Sequence, residues 1–551
     1  MSSPRPCPIV PDASTTLVDL VDRLSAQTDT GLVVYDRRGK TRTRRPYPEV
    51  MAQARAWTTW LEASGVRPGD IVFLCLPTSH DVIEGFYGAS LAGALPCLLA
   101  MPRAIGGLEV FKRRVELLGR FGRGHLVTTP EVGAELGTPF LAVPDALDLS
   151  AKAPVRPRPK ASEIAYVQLT SGSTQTPKAV AITHSNLAEN TAAIITRGTG
   201  RGGEAFVTWL PLYHDMGLVG MAFTAMHHGA ELVLLPPEAF LAAPRRWLEA
   251  ISLHPETVAS TAPNFGYQWC VDRIEPAQVA GLDLSRWRVA CCGAEMIRPA
   301  TVTEFAARFG PAGFRIEQFS PCYGMAEGTL AVTMCPVSVR APLVHDGVVA
   351  CGAAVPGMQV DVRPVGSEGV LPEGQEGEVV ISGTSLFAGY HQDPEITKAV
   401  LRPDGTFRTG DLGYLKGGEL FITGRVKDLL ILDGANVAPH ELEWLAQGLI
   451  DLDGGRAAAF SVEHLRREQP VLVVEVKEVP TADVLEALRT RCARDVAPLH
   501  DLVLVRRGTL PKTSSGKVMR STVKARYLDG TLEAVLWRHK DPAQSSTRSE
   551  A

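Results

Sequence analysis

The sequence has no C-x-x-C pair among its ten cysteines, and its one adjacent pair, Cys291–Cys292, has no metal-ligand spacing. Disulfide and zinc frameworks fit that pattern poorly, so a reducing compartment, the cytoplasm, is the expected setting. Positive charge is not in excess either: Lys and Arg total 56 against 60 Asp and Glu, a net of −4. Binding to a phosphate backbone is driven by cationic surplus, so no nucleic acid polymer is expected as a partner. No apolar run approaches the ~20 uninterrupted residues of a bilayer span. The nearest candidate, Ile71 to Met101, is broken by His80, Asp81 and Glu84 and reads as strand, helix and strand. Stable membrane insertion is therefore not expected, and the proline-rich opening, Met1 to Asp12, lacks the apolar core of a signal peptide.

Several catalytic signatures are also missing. The order G-x-x-x-x-G-K-[ST] fails at both candidate lysines, since Ala179 follows Lys178 and Val518 follows Lys517. Gly88-Ala-Ser90-Leu-Ala92 lacks the second glycine of a nucleophile elbow, and His440-Glu441-Leu-Glu has no second histidine for zinc. These absences disfavour a P-loop NTPase, an elbow-type hydrolase and a zinc hydrolase.

What is present is a long, core-forming chain: 551 residues, 45% hydrophobic and 21% charged, enough for more than one domain. Helical spacing from Tyr47 to Leu61, an apolar strand Ile71–Leu76, a helical pattern from Asp81 and an apolar run Pro96–Ala100 alternate as in a doubly wound parallel sheet. The basic run Lys40–Arg45 reads as a solvated hairpin, and Lys152–Lys160, with three prolines and four basic residues, as an extended solvated connector. Beyond Glu419 the rhythm becomes strand, strand, helix, two strands, helix, strand, a small α+β unit. The expected fold class is thus α/β, with a large N-terminal domain and a small C-terminal α+β domain. The expected limits are a tail at 1–15, the large domain at 16–426, the small domain at 427–538 and a frayed tail at 539–551.

The strongest local signal runs Tyr166-Val-Gln-Leu-Thr170-Ser171-Gly172-Ser173-Thr174-Gln175-Thr176-Pro177-Lys178, a strand entering a hydroxyl-rich turn. Small residues let backbone N–H groups converge on an anion, hydroxyls add donors and lysine adds charge, which together make a phosphate cradle. Six further motifs follow in order: Trp209-Leu-Pro-Leu-Tyr-His214-Asp215-Met-Gly217, Ala262-Pro-Asn264-Phe265, Gly293-Ala294-Glu295, Tyr323-Gly324-Met-Ala-Glu327, Arg408-Thr409-Gly410-Asp411 and Gly424-Arg425-Val-Lys427-Asp428. A last one, Pro511-Lys-Thr-Ser-Ser-Gly516-Lys517, lies near the end.

This series resembles the adenylate-forming superfamily of acyl-CoA synthetases, peptide-synthetase adenylation domains and luciferases, across roughly residues 16–536. The wording of Trp209–Gly217, Gly281–Ser285 and Pro321–Gly324 is most similar to fatty acyl-AMP ligases. The resemblance implies that the large domain also has a β-barrel-like portion and that the small domain is mobile, hinged at Lys427. It implies a reaction in which a carboxylate attacks the α-phosphorus of ATP, pyrophosphate leaves, and the acyl-AMP passes to a thiol. Thr170, Ser171, Gly172, Ser173, Thr174 and Lys178 would then hold the β- and γ-phosphates, and Glu327 a Mg²⁺ ion. Gly293, Ala294 and Glu295 would edge the adenine, with Tyr323 stacked on it beside Gly324. Asp411 and Arg425 would hold the ribose. His214 would stand between acyl pocket and α-phosphate, Asn264 and Phe265 in the pocket wall, and Lys517 would touch both the carboxylate and the α-phosphate.

Two readings of the acceptor follow from the resemblance, the phosphopantetheine thiol of an acyl carrier protein or free CoA, with a medium or long fatty acid as the expected substrate. A third is a silent nucleotide-binding partner subunit. Gln175 and Ala179 stand where the superfamily usually has glycine, and only 23 residues separate Glu327 from Cys351, where acyl-AMP ligases typically carry a longer insertion.

Overall fold

The computed structural model describes residues 10–102, 107–150, 156–170, 177–199, 204–337, 339–432, 435–450, 452, 455–464, 467–512 and 517–540. They group into two compact units: Met1–Thr409 with Tyr414–Ile422, and Gly410–Gly413 with Thr423–Ala551.

The large unit is built on a nine-stranded mixed sheet. Six of its strands run parallel, Gly31–Tyr35, Glu231–Leu234, Glu204–Thr208, Thr257–Ala262, Trp287–Cys292 and Phe319–Gly324. The basic run is a hairpin at one edge: Arg42–Pro46 lies antiparallel to Gly31–Tyr35. A second, parallel sheet is ordered Leu95–Leu98, Ile71–Cys75, Gly124–Thr128, Leu141–Ala142. All five residues of Ile71–Cys75 are buried, as a strand covered on both faces requires, which is why it reads as an unbroken apolar run. Helices Tyr47–Ala63 and His80–Leu91 pack at very short range, because a Cβ on Gly88 would lie 2.9 Å from the Ala54 carbonyl oxygen and collide with Trp57. Gly88 is thus a packing residue.

Two smaller sheets complete this unit. One places the strand Gly389–Tyr390 antiparallel to Lys178–Thr183, which is in turn paired with Ile164–Thr170. The other is a four-stranded sheet ordered Met358–Arg363, Gly377–Gly383, Phe407–Lys416, Glu419–Arg425, of which Gly410–Gly413 and Thr423–Arg425 are assigned to the small unit. The described part of the connector is irregular and largely exposed, as its reading as a solvated linker expects, and it carries surface ion pairs. Arg156 Nε donates to Glu62 at 3.0 Å, and Arg158 is bonded to Asp19 and, at 2.5 Å, to Asp22.

The small unit has a four-stranded sheet ordered Ala457–His464, Arg467–Val476, Asp501–Arg506, Val535–Lys540. Successive residues of Arg467–Val476 serve two cores: Leu472, Val474 and Val476 pack with Leu442 and Leu488, while Val471 and Val473 pack with Val503 and Val523, the period-two alternation of a strand. Helices Pro439–Leu449, Ala482–Asp495 and Arg520–Leu528 cover it. The expected C-terminal tail begins too early, since Val535–Lys540 pairs Asp501 with Lys540 and Leu502 with His539. Likewise Thr15 N already donates to Asp12 O in a turn before helix Leu17–Ser25.

Candidate functional site

The hydroxyl-rich turn is closed by a cross-strand pair, Thr170 opposite Lys178, so those two residues stand side by side at the turn's base. Ser171, Gly172, Ser173 and Thr174 lie outside the described residues. Lys178 directs its Nζ over the ring of Tyr390, 4.7 Å from the centroid. The Tyr390 hydroxyl in turn donates to Glu327 Oε1 at 2.8 Å, and the Glu327 carbonyl accepts from Phe387 N at 2.8 Å. Burial first, and then the neighbouring Glu327 charge, push the Tyr390 hydroxyl well above its ordinary pKa, so it stays a donor. Lys178 and Glu327 are therefore brought into one array by a residue that the motif reading had missed.

The turn bearing Glu327 is held from behind by another residue missed in the sequence. Asn190, wholly buried on helix His184–Ile194, donates to the carbonyls of Gly328 at 3.2 Å and Ala331 at 2.9 Å and to Ser385 Oγ at 3.0 Å. Its own Oδ1 accepts from Ala331 N at 3.0 Å. Thr329 sits at φ +64 and ψ −51, a conformation that β-branched residues avoid and that costs on the order of 1–3 kcal/mol. Its hydroxyl, donating to Ser385 O at 2.7 Å, helps to hold it there. An isolated Asn in a helical pattern and a Thr after Glu-Gly carry no signal of this kind in sequence.

The adenine candidates occupy the carboxyl ends of two neighbouring parallel strands, the usual ligand-facing edge of such sheets. Gly293 directly follows Trp287–Cys292, and Tyr323 and Gly324 close Phe319–Gly324. A Cβ on Gly293 would lie 2.7 Å from Cys322 O and 2.9 Å from Cys322 Sγ, so only glycine lets this backbone come so near its neighbour. Ala294 is exposed at φ +65. Glu295 turns toward the pocket candidates: its Oε1 accepts from Phe265 N at 2.5 Å, at the start of helix Asn264–Arg273, where a carboxylate complements the unsatisfied N–H groups. Asn264 Oδ1 accepts from Arg298 N at 3.0 Å. Phe265 meets the ring of Trp209 edge-on at 5.8 Å, and Trp209 stacks on Phe240 at 3.8 Å. His214 lies five residues beyond Trp209. Its carbonyl accepts from Gly217 N and Leu218 N, and the adjacent Tyr213 carbonyl accepts from Gln168 at 2.7 Å, tying this motif to the strand that ends at Thr170. Asn264, Phe265 and Glu295 are thus contiguous.

The remaining candidates belong to the small unit. Asp411 is buried, and its Oδ1 accepts from Arg425 Nε at 2.8 Å while Val426 N donates to Gly410 O at 2.9 Å. Lys427 is followed by Asp428, which accepts from Arg520 Nη1 at 3.1 Å. Arg520 also grips both oxygens of Glu443, at 2.6 and 2.7 Å. Burial disfavours its charge, but Glu443 and Asp428 outweigh that and raise its pKa. Lys517 lies just inside a bridge between Lys512 and Val518, reinforced by Met519 N donating to Pro511 O at 2.9 Å. Beneath it the wholly buried Glu475 accepts from Leu510 N at 2.8 Å and Lys512 Nζ at 3.4 Å. Gly516 lies outside the described residues.

These residues suit a nucleotide with its magnesium. Lys178 and Glu327 supply a cation and a hard carboxylate oxygen. Among the described residues no cluster of three or more His, Cys, Asp or Glu could cage a metal. Nor is any helix among them long and apolar enough to cross a membrane.

Comparison with known proteins identifies the family. The family model described as AMP-binding enzyme matches residues 119–391. A protein of Caulobacter vibrioides, provisionally named an acyl-CoA synthetase, is 35% identical over 94% of this chain and 96% of its own. The medium-chain-fatty-acid–[acyl-carrier-protein] ligase JamA of Moorena producens is 33% identical over 88% of this chain and 90% of its own. A solved structure from work on fatty acyl-adenylate ligases of E. coli and L. pneumophila superposes with a TM-score of 0.85 at 32% identity, covering 95% of this chain and 99% of that one. With relatives this similar along nearly its whole length, the chain belongs to the AMP-binding enzyme family, among the fatty acyl-AMP ligases and acyl-CoA synthetases.

Proposed function

We propose that the protein activates a medium- or long-chain fatty acid as its acyl-adenylate and hands the acyl group to the phosphopantetheine thiol of an acyl carrier protein. The observation that carries this reading is the Lys178, Tyr390 and Glu327 array in a chain whose relatives include a medium-chain-fatty-acid–[acyl-carrier-protein] ligase. A carboxylate oxygen attacks the α-phosphorus of ATP, the bond to the β-phosphate oxygen breaks, and pyrophosphate leaves. The thiol sulfur then attacks the acyl carbon and AMP departs. Both reactants of the first step are anions, so the work of the protein is to hold them together and offset their charge.

Thr170 to Lys178 bind the β- and γ-phosphates. Glu327 would hold Mg²⁺, which when bound would offset charge on the phosphates. Gly293 to Glu295, Tyr323 and Gly324 receive the adenine, and Asp411 with Arg425 the ribose hydroxyls. His214, Asn264 and Phe265 line the approach of the acid, and Lys517 offsets charge on the carboxylate and the α-phosphate. The short 23-residue stretch between Glu327 and Cys351 favours a second reading, with free CoA as acceptor.

ATP–pyrophosphate exchange over a panel of acids, followed by mass analysis of the product with CoA and with a holo carrier protein, tests both. Exchange is expected with fatty acids of overlapping length, because a buried CH₂ contributes only about 0.8 kcal/mol. Lys517→Ala should lower exchange by ~10²–10³, the usual effect of losing one preorganised charge partner, yet still pass a supplied acyl-AMP to the thiol. Sharp selection of an amino acid would overturn the substrate assignment, and an inactive wild-type protein would leave the silent partner subunit.

A further inference from the structure

We infer that Tyr390 is a positioning residue that keeps a phosphate-binding cation and a metal-binding carboxylate apart while holding each in place. The inference rests on the adenylation reading and adds to it a residue that none of the motifs contains.

The geometry comes from the short strand Gly389–Tyr390. Tyr390 pairs with Val180, two residues beyond Lys178 on the neighbouring strand, so the phenol ring lies beside the lysine stem. Its face receives the ammonium at 4.7 Å and its hydroxyl reaches Glu327 Oε1 at 2.8 Å. One end of a rigid, two-ended side chain thus meets a cation and the other an anion. The ring has little room to turn: it is buried, packs edge-on to Phe387 at 5.1 Å, and its backbone N–H donates to Thr397 Oγ1 at 2.9 Å. The same segment grips Glu327 through Phe387 N.

The chemistry of the two clients explains why such a spacer is useful. A lysine and a glutamate near one anion site attract each other, and a direct ion pair would consume both the charge meant for phosphate and the oxygen meant for Mg²⁺. A phenol offers the cation a π face, which it gives up readily to a phosphate. It offers the carboxylate one neutral donor, which fixes Oε1 without neutralising the charge that a Mg²⁺ ion would need.

The test separates the two ends. Tyr390→Phe keeps the ring and removes the hydroxyl; Tyr390→Leu removes both. Binding of a non-hydrolysable ATP analogue would be measured by calorimetry across a Mg²⁺ series, with exchange activity and thermal melting alongside. Tyr390→Phe should raise the Mg²⁺ needed for half-maximal binding about tenfold or more, the effect of one hydrogen bond to a charged group. Its affinity at saturating Mg²⁺ should stay within about twofold of wild type. Tyr390→Leu should weaken binding about tenfold or more even at saturating Mg²⁺, and Lys178→Met added to it should cost little further. An unchanged Mg²⁺ series for Tyr390→Phe, or equal losses in both variants that follow their melting temperatures, would overturn the inference. A wild-type protein that neither binds the analogue nor exchanges pyrophosphate would instead overturn the adenylation reading and take this inference with it.

Discussion

Asn190 makes four hydrogen bonds with one amide group, and every partner is a buried atom on another segment. Removing it strands those atoms, at about 1–3 kcal/mol for each one left unsatisfied. We expect Asn190→Ala to destabilise the large unit by about 3–5 kcal/mol in urea unfolding and to loosen the Glu327 turn, seen as faster hydrogen exchange at Ala331. The signals readable in sequence were those with local spacing: Lys178 after its hydroxyl run, Glu327 after Tyr-Gly, Asp411 after Thr-Gly. Asn190 and Tyr390 escaped because their meaning lies in contacts more than 60 residues away along the chain, to Ala331, Ser385 and Glu327, and no periodicity encodes that. The Thr329 conformation was equally hidden, since a β-branched residue is the last that local preference would put there.

Elements were legible where the apolar pattern alone decides them. Helix Ala482–Asp495 and strand Asp501–Arg506 stand where the last helix and strand of the rhythm beyond Glu419 are expected. Helix Arg520–Leu528 was not seen because only Val523 of its nine residues is buried, leaving no apolar stripe. Strand Val535–Lys540, with three consecutive polar or charged residues, is missing from the sequence rhythm, and its last two residues fall in the expected tail. Its place is fixed instead by pairing and by Arg538, whose Nε donates to the buried Asp501 at 2.7 Å. At this scale falls the hinge proposed at Lys427. Its neighbour Asp428 is anchored by Arg520, and Asp428 N donates to Arg425 O at 3.0 Å, so a proline at 427 would restrict Val426 and itself without removing those anchors. We expect Lys427→Pro to leave pyrophosphate exchange within about threefold while slowing transfer to the thiol at least tenfold. Equal loss of both steps would refute a hinge there.

Across the whole molecule, buried imidazoles set the response to acid. Burial lowers His227 to about 3, with Arg23 adding to the effect, and lowers His184 to about 4 against the raising influence of Asp19. Protonation would also break the bond by which Leu17 N donates to His184 Nδ1 at 3.1 Å. In the unfolded chain both titrate near 6.5, so below that pH the unfolded state binds more protons, and each histidine withdraws about 1.4 kcal/mol per pH unit. Glu84, raised to about 7 by burial against the pull of Arg45, acts oppositely: between pH 7 and its unfolded value the folded state takes the proton first and gains stability. The two histidines outweigh it, and the large unit should lose about 1.5 kcal/mol between pH 6.5 and 5. Urea unfolding at those two pH values measures this, and His227→Gln should make the decline smaller, with His184, His80 and His391 still lowered by burial. In the small unit His440, lowered by burial to about 4, predicts a comparable decline for a separate transition.

The assignment of Gly410–Gly413 to the small unit, although the residues on either side of it belong to the large one, bears on how the protein can be dissected. The backbone crosses from one unit to the other three times, so no single scission yields two intact halves. A polypeptide stopped after Ile422 would keep Asp411 and forfeit Arg425, leaving a carboxylate stripped of its counterion. Any assay on such a truncated product would report on a damaged Asp411–Arg425 pair and not on the intact protein.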